Sequence, residues 1–328
     1  MPTNLPPEAI EAEQRYREAR SLPDKIARLE EFISAIPKHK GTDKLRADLR
    51  RRLSKLKSSA QAPQKTSRQE SAFRIEREGA GQVVVIGPPN VGKSALVAAL
   101  TNAAPEVADF PFTTWLPTPG MMPIENIQVQ LIDTPPLSVD YVEPEMIELI
   151  RRADLALLMI DLQGYALQQL EEAVAWLEGH RIVARHRQSH YPEPQRLTFL
   201  PLLVLVNKND DSRTDEDYEV LCELLEGEWP LLPLSVTTGR NLEQLKWAVY
   251  EQLDIIRVYS KPPGKKPDLD TPFVLKKGAT VEQLAAKVHR DFYEQLKAAR
   301  VWGAGVYGGQ MVGRDHVLHD GDVVELRL

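Results

Sequence analysis

Cysteine is almost missing from this sequence: Cys222 is the one example among 328 residues. An internal disulfide and a cysteine-rich metal centre are thereby excluded, and the composition suits a reducing compartment without proving one. In the helical-looking run "EDYEVLCELLEGEW" that cysteine reads as an inert buried thiol. Long apolar runs are also missing. Nowhere do 18 apolar residues follow one another, and the opening "MPTNLPPEAIEAEQ" has no basic segment leading into an apolar stretch. The expectation is a soluble, cytoplasmic protein with no membrane partner. There is no excess of positive charge either. Lys and Arg total 41 against 47 Asp and Glu, a formal net charge of −6, so any nucleic-acid contact must be local.

Positive charge is unevenly spread, and length allows about two domains at roughly 100 to 200 residues each. Residues 1–60 show helical periodicity broken by Pro and Gly, which predicts a helical hairpin. Its second arm carries Lys38, Lys40, Lys44, Arg46, Arg50, Arg51, Arg52, Lys55 and Lys57 against Asp43 and Asp48. That arm is either a solvated helix face or a contact for a phosphate backbone, whose condensed counterions clustered cations displace. Residues 61–81 read as a linker, being poor in large apolar side chains. Residues 82–255 alternate short apolar runs ("VVVIG", "VQLID", "LALLMID", "PLLVLVNK", "LLPLS") with amphipathic stretches. Apolar strands joined by helical crossovers predict a doubly wound α/β fold with a mostly parallel sheet covered on both faces. Residues 256–328 read as strand, helix and short strands, a small mixed sheet gripping one helix.

The chemistry is concentrated in "VVVIGPPNVGKSALVAAL", where GxxxxGKS spacing falls between a strand and a helix. Gly87 and Gly92 allow the backbone to approach oxygen atoms, and the loop around Asn90, Val91 and Ala95 turns its NH groups and the helix start toward phosphates. Lys93 is placed to bridge the β and γ phosphates, and Ser94 offers a hydroxyl to Mg²⁺. This motif does not choose between adenine and guanine. "LVNKND" does, with Asn207, Lys208 and Asp210 as NKxD after an apolar strand: Asp210 can accept the N1 and N2 hydrogens of guanine, an arrangement adenine lacks, and the stem of Lys208 can cover the base plane. In "PLSVTTGRNL" the backbone of Ser235 and Val236 is placed to meet the guanine O6. Thr114 in "DFPFTTWLP" is the candidate that senses a γ phosphate and completes the Mg²⁺ shell, with Thr113 its close competitor. Asp133 in "LIDTPP" would hold the ion through water.

With these segments in register the chain resembles the Obg-related translation-factor class of GTPases, and most closely the developmentally regulated GTP-binding protein (DRG) family. "ADFPFTTWLPTPGMM" is similar to that family's first switch, and the C-terminal "IIRVYSKPPGKKPDLDTPFVLKKGATVEQLAAKVHRDF" with "QLKAARVWGAGVYGGQMVGRDHVLHDGDVVEL" looks like its TGS domain, a ubiquitin-like β-grasp. The resemblance implies a GTPase binding GTP and GDP, acting with the ribosome, rRNA or a translation-related protein through the TGS domain and basic helices. It also implies Mg²⁺ as cofactor and a K⁺ ion beside the phosphates at Asn90, although an asparagine there can instead merely stabilise the loop.

Two departures stand against the family pattern. Between the helix ending near Gly179 and the strand at Pro201 lies only "HRIVARHRQSHYPEPQRLTF", with no room for the domain that DRG proteins insert in this half. Its His180, His186 and His190 lack cysteine or carboxylate company and read as a solvated basic loop rather than a metal centre. The second departure is Pro136, which replaces the glycine of DxxG and brings no NH to a γ phosphate. Leu137 follows where a water-orienting glutamine stands in other GTPases. Two expectations result: a slow GTPase switch in which Lys93, Ser94 and Mg²⁺ stabilise phosphate charge while Thr114 senses the γ phosphate, or a GTP-binding scaffold that scarcely hydrolyses. An ATP-specific relative is a distant third, since Asp210 argues against adenine.

Overall fold

The computed structural model describes residues 6–18, 22–37, 49–53, 74–101, 116–137, 143–191 and 196–327. They fall into two compact units, residues 1–70 and 71–328. In the first, helices Pro7–Glu18 and Leu22–Ala35 enclose a small core of Ala9, Ala12, Leu29, Phe32, Ile33, Ile36 and Leu49. Residues 49–53 are helical, with Arg50, Arg51 and Arg52 exposed. The remaining cations of the basic arm, Lys38, Lys40, Lys44, Arg46, Lys55 and Lys57, lie outside the described residues.

The second unit holds a six-stranded sheet ordered β2-β3-β1-β4-β7-β8, made of β1 (Gln82–Ile86), β2 (Thr118–Ile124), β3 (Ile127–Asp133), β4 (Leu155–Asp161), β7 (Leu202–Asn207) and β8 (Leu231–Pro233). Every pairing is parallel except β2 with β3. Alternate strand residues feed two cores. Val84, Ile86, Leu158 and Val206 pack beneath helices Pro144–Arg152 and Ala166–Gly179, while Val83, Val85, Leu157 and Leu205 pack beneath Lys93–Leu100 and Leu242–Gln252. The central strands are apolar throughout because both their faces are covered. Local chemistry starts the helices. Pro144 occupies a first-turn position where its missing NH costs nothing, with Glu145 beside it and Arg151 and Arg152 in the last turn, matching the helix dipole. Asp211 and Thr214 cap Ser212–Leu224 reciprocally.

Strand β2 has no counterpart in the apolar runs read from the sequence. Its "TPGMMPI" contains Pro119 and Pro123, residues that remove ladder donors and so read as loop. Both prolines are exposed on an edge strand, where no further strand requires their NH groups. The segment expected to be a solvated basic loop is partly regular as well. β5 (Ile182–Ala184) pairs in parallel with β6 (Thr198–Leu200), and Arg185–His190 forms a 3₁₀ turn. His186 meets Trp229 edge-on at 4.9 Å and His180 lies 4.2 Å from the Trp176 ring, so two of the three histidines are ring partners. Among the described residues no cluster of His, Cys, Asp and Glu could hold a metal ion. Cys222 is half-buried rather than buried.

Beyond helix Leu242–Gln252 comes a five-stranded mixed sheet ordered β10-β9-β13-β11-β12, from β9 (Ile255–Ser260), β10 (Phe273–Lys276), β11 (Ala298–Trp302), β12 (Gln310–Val312) and β13 (Val323–Arg327). Helix Val281–Val288 closes its core through Val281, Leu284 and Ala285. A polar junction binds this sheet to the turn between β2 and β3. Arg257 donates to Glu125 in that turn and to Asp320 at 2.8 Å, and its guanidinium stacks over Tyr250 at 5.2 Å. Tyr250 donates to Asp320 at 2.6 Å, and Asn126 donates to the Tyr259 hydroxyl at 2.8 Å. Arg257 is mostly covered, whereas Glu125 and Asp320 remain partly in water, which limits what each pair contributes. Replacing Arg257 by Ala leaves Asp320 short of its main partner and should cost about 1–2 kcal/mol, measured as a lower urea midpoint at unchanged slope.

Candidate functional site

The parallel strands β1, β3, β4, β7 and β8 end at one edge of the sheet, and the polar residues of interest gather there. The chain leaves β1 toward β3 on one side and returns to β4 on the other, opening a crevice at the C-terminal end of β1. Residues 87–92 fill it. Gly87 adopts φ 146°, and a Cβ there would stand 2.3 Å from the Met159 carbonyl of the neighbouring strand. Gly92 adopts φ 101° at the start of helix Lys93–Leu100, where a Cβ would meet the Asn207 amide at 2.6 Å. No L-residue meets both demands, which accounts physically for the two glycines of the motif.

The loop curls around its own lysine. Lys93 is 6% exposed, and its ammonium donates to the carbonyls of Gly87 at 3.0 Å and Pro88 at 2.7 Å. Burial pulls the Lys93 pKa down to about 8, opposed by the nearby Asp133 carboxylate. Ser94 donates to Asp133 Oδ2 at 2.5 Å. Asp133 is wholly buried. Burial pushes its pKa up against the hydrogen bond from Ser94 and the charge of Lys93. Its other oxygen, Oδ1, accepts no hydrogen bond from the described residues. A buried carboxylate oxygen left without a donor, beside a serine hydroxyl at a helix start, is a donor set suited to a hydrated divalent cation. Mg²⁺ therefore fits the residues present.

A second cluster lies beside the loop. Asn207 donates to the Val91 carbonyl at 2.8 Å and accepts from the Val236 NH at 3.2 Å, so one side chain ties β7, the 87–92 loop and the turn after β8 together. Ser235 donates to Asp210 at 2.5 Å and in turn accepts from the Thr238 NH. Lys208 sits at φ 67°. The structure thus brings Gly87, Asn90, Val91, Gly92, Lys93, Ser94 and Ala95 into one loop and helix start, with Asp133, Asn207, Lys208, Asp210, Ser235 and Val236 around them. Thr114 and its competitor Thr113 lie outside the described residues. After Asp133 the chain turns back to the loop: the Leu137 NH donates to the Gly87 carbonyl at 3.1 Å, and the Leu137 side chain packs against the core beneath helix Pro144–Arg152.

Two neighbours of this cluster were not anticipated. Asp161, the last residue of β4, pairs with the Lys208 ammonium at 2.5 Å. Gln163, two residues on, donates to the Lys208 carbonyl at 3.1 Å and lies 3.4 Å from Asp210 Oδ2. The signal was present in "LMID", an apolar strand ending in a carboxylate, but only the register Asp161↔Asn207 brings that carboxylate to the lysine.

Comparison with known proteins agrees with this geometry. Residues 82–187 match the family described as 50S ribosome-binding GTPase, and residues 256–327 match the TGS domain. The crevice, the loop folded around Lys93 and these two matches identify a P-loop GTPase domain at residues 82–187 and a C-terminal TGS domain at residues 256–327. Over nearly its whole length it is similar to proteins named for GTP binding. An uncharacterised GTP-binding protein of Methanocaldococcus jannaschii is 29% identical over 93% of this chain and 92% of its own. Human developmentally regulated GTP-binding protein 2 is 25% identical over 92% and 98%. The human alignment runs over 363 positions, more than the 328 residues here, so that relative carries residues with no counterpart in this chain. Among solved structures, a YchF GTPase from Schizosaccharomyces pombe shares the fold at a TM-score of 0.52 and 14% identity, over 77% of this chain and 99% of that one.

Lys93 and Asp161 each give a measurable expectation. With its pKa near 8, Lys93 sheds its proton as pH rises through that value, whereas bound phosphate favours the charged form. GTP binding should therefore take up close to one proton at pH 9 and only about 0.1 at pH 7. Calorimetry in buffers of different ionisation heat reads this directly, and buffer-independent heats at pH 9 would contradict it. Asp161→Asn removes the charge that holds Lys208. Because that pair is partly exposed, GTP and GDP affinity should both fall by about fivefold, on the order of 1 kcal/mol, while turnover of bound GTP stays unchanged.

Proposed function

We propose that this protein is a slow, Mg²⁺-dependent GTPase switch that works with the ribosome or another translation-related, RNA-containing partner. The observation that carries the reading is the buried pair at the crevice: Lys93 folded under its own loop, and Ser94 donating to an Asp133 whose second oxygen has no donor among the described residues. In this reading Lys93 stabilises charge on the β and γ phosphates, and Ser94 and Asp133 hold Mg²⁺, with Asp133 acting through water. The bound ion would neutralise phosphate charge as hydrolysis proceeds. Asp210 and Lys208 select guanine, with Asn207, Ser235 and Val236 shaping the base pocket. Thr114 is the proposed sensor of the γ phosphate. Asn90 stands exposed on the loop at φ 64°, a position open to a K⁺ ion. The ribosomal setting is supported by the family description of residues 82–187, by the TGS domain and by the exposed Arg50–Arg52.

A second reading rests on Pro136. Residue 136 has no NH, and the NH of residue 137 is engaged by the Gly87 carbonyl, so neither is free for a γ phosphate in this conformation. A chain built this way can bind GTP and scarcely hydrolyse it, serving as a nucleotide-dependent scaffold.

Single-turnover GTP hydrolysis with and without ribosomes, in K⁺ and in Na⁺, separates the two. The switch reading expects slow turnover that K⁺ and ribosomes raise; tight GTP binding with no turnover in any arm leaves the scaffold. In the same assay Pro136→Gly, which restores the missing NH, should speed hydrolysis by about tenfold, the worth of one charge-assisted hydrogen bond of roughly 1.5 kcal/mol.

A further inference from the structure

Away from the phosphate crevice, a groove of about 420 Å³ runs between helix Ala166–Gly179 and the end of helix Ser212–Leu224. Its lining is mixed, with apolar side chains flanked by charged ones: Leu170 is buried, Leu167, Val174 and Leu225 are half-buried, and Trp229 stands among them. The indole is held on two sides, by Arg187 stacking at 5.3 Å and His186 edge-on at 4.9 Å. Leu224 at the groove is 60% exposed, and Val220, one turn earlier on the same helix face, is 55% exposed. Apolar side chains left this open beside a braced tryptophan form a patch that an isolated surface has little reason to present.

The charge around the groove indicates its partner. Glu171, Glu178, Glu226 and Glu228 border it, against Arg187 alone. Arg187 lies 3.4 Å from Glu178, which also accepts from Tyr191 at 2.7 Å. The carboxylates of Glu171, Glu226 and Glu228 are exposed and engage no side chain among the described residues. A negative rim repels nucleic acid and attracts cations, while the apolar part of the lining, between two helices, suits the side chains that a third helix presents at i, i+3 or i+4, and i+7. We propose that this groove docks a basic amphipathic helix of a partner protein. Its leucine-type side chains would fill the space beside Trp229, and its Lys or Arg stems would lie along Leu224 with their charges on the glutamates. This surface is independent of the nucleotide reading.

The test titrates the full chain with a leucine–lysine amphipathic peptide of about 18 residues, roughly five helical turns, beside a scrambled peptide of the same composition. The amphipathic peptide should bind at least about tenfold tighter than the scrambled one, with an affinity that falls as salt rises. Leu224→Lys should weaken it by about tenfold or more, Leu224→Met should retain it, and Glu171→Gln with Glu228→Gln should flatten the salt dependence. Leu224 and both glutamates are exposed, so unchanged melting curves verify the fold of each variant. Equal binding of the scrambled peptide, or full binding by Leu224→Lys, overturns the proposal. A dimer in sedimentation that Leu224→Lys disperses overturns it in favour of a second copy of this chain.

Discussion

The contact on which the site depends is that between Lys93 and the carbonyls of its own loop. A buried ammonium is costly unless its donors are used, and here Gly87 and Pro88 supply acceptors before any phosphate arrives. That requirement bends residues 87–92 into a loop tight enough to need glycine at both ends, with the Met159 carbonyl against one and the Asn207 amide against the other. It also determines which groups can sit nearby. Asp133 offsets part of the lysine's charge and is a wholly buried carboxylate with one oxygen that no described residue satisfies. The crevice therefore holds positive and negative groups under tension with their surroundings, and both ligands expected there relieve it: phosphate answers the lysine, and a cation answers the aspartate.

Asn207 extends this constraint to the base side. By donating to Val91 and accepting from Val236 it makes the phosphate loop and the base loop a single hydrogen-bonded body. The Asp161–Lys208 pair adds a third strand end to it. The register of β4 on β7, Asp161 opposite Asn207, is what aligns these groups, so the apolar strands and the polar site are two results of one sheet geometry.

Much of this was legible in the sequence, and the reasons differ by element. The loop and its helix are local, so spacing alone exposes them. The central strands are covered on both faces and announce themselves as unbroken apolar runs such as "VVVIG" and "LLVLV". β2 was hidden because an edge strand tolerates the prolines that argue against a strand elsewhere. The stitching of Asp161 and Gln163 to the lysine loop was illegible for another reason: residues 161 and 208 meet only through strand order, which no local pattern encodes. The histidine segment is exposed at Arg185, His186 and His190 as expected, and what the sequence hid is the pairing of β5 with β6 and the contact of His186 with Trp229, which lies in a distant part of the chain.

Pro136 shows how binding and hydrolysis can be separated within one site. In the proposed function, nucleotide binding would draw on Lys93, the loop backbone and the Asn207 cluster, which hydrogen bonds join to one another. Hydrolysis needs groups that meet the γ phosphate as the transition state forms. At this point the chain supplies an imino acid, then an NH already given to Gly87, then a leucine side chain committed to the core. The leucine side chain has no polar atom with which to orient water, and its NH is given to the Gly87 carbonyl that Lys93 also uses. A move at 137 is therefore coupled to the lysine, because the Gly87 carbonyl accepts from both the Lys93 ammonium and the Leu137 NH.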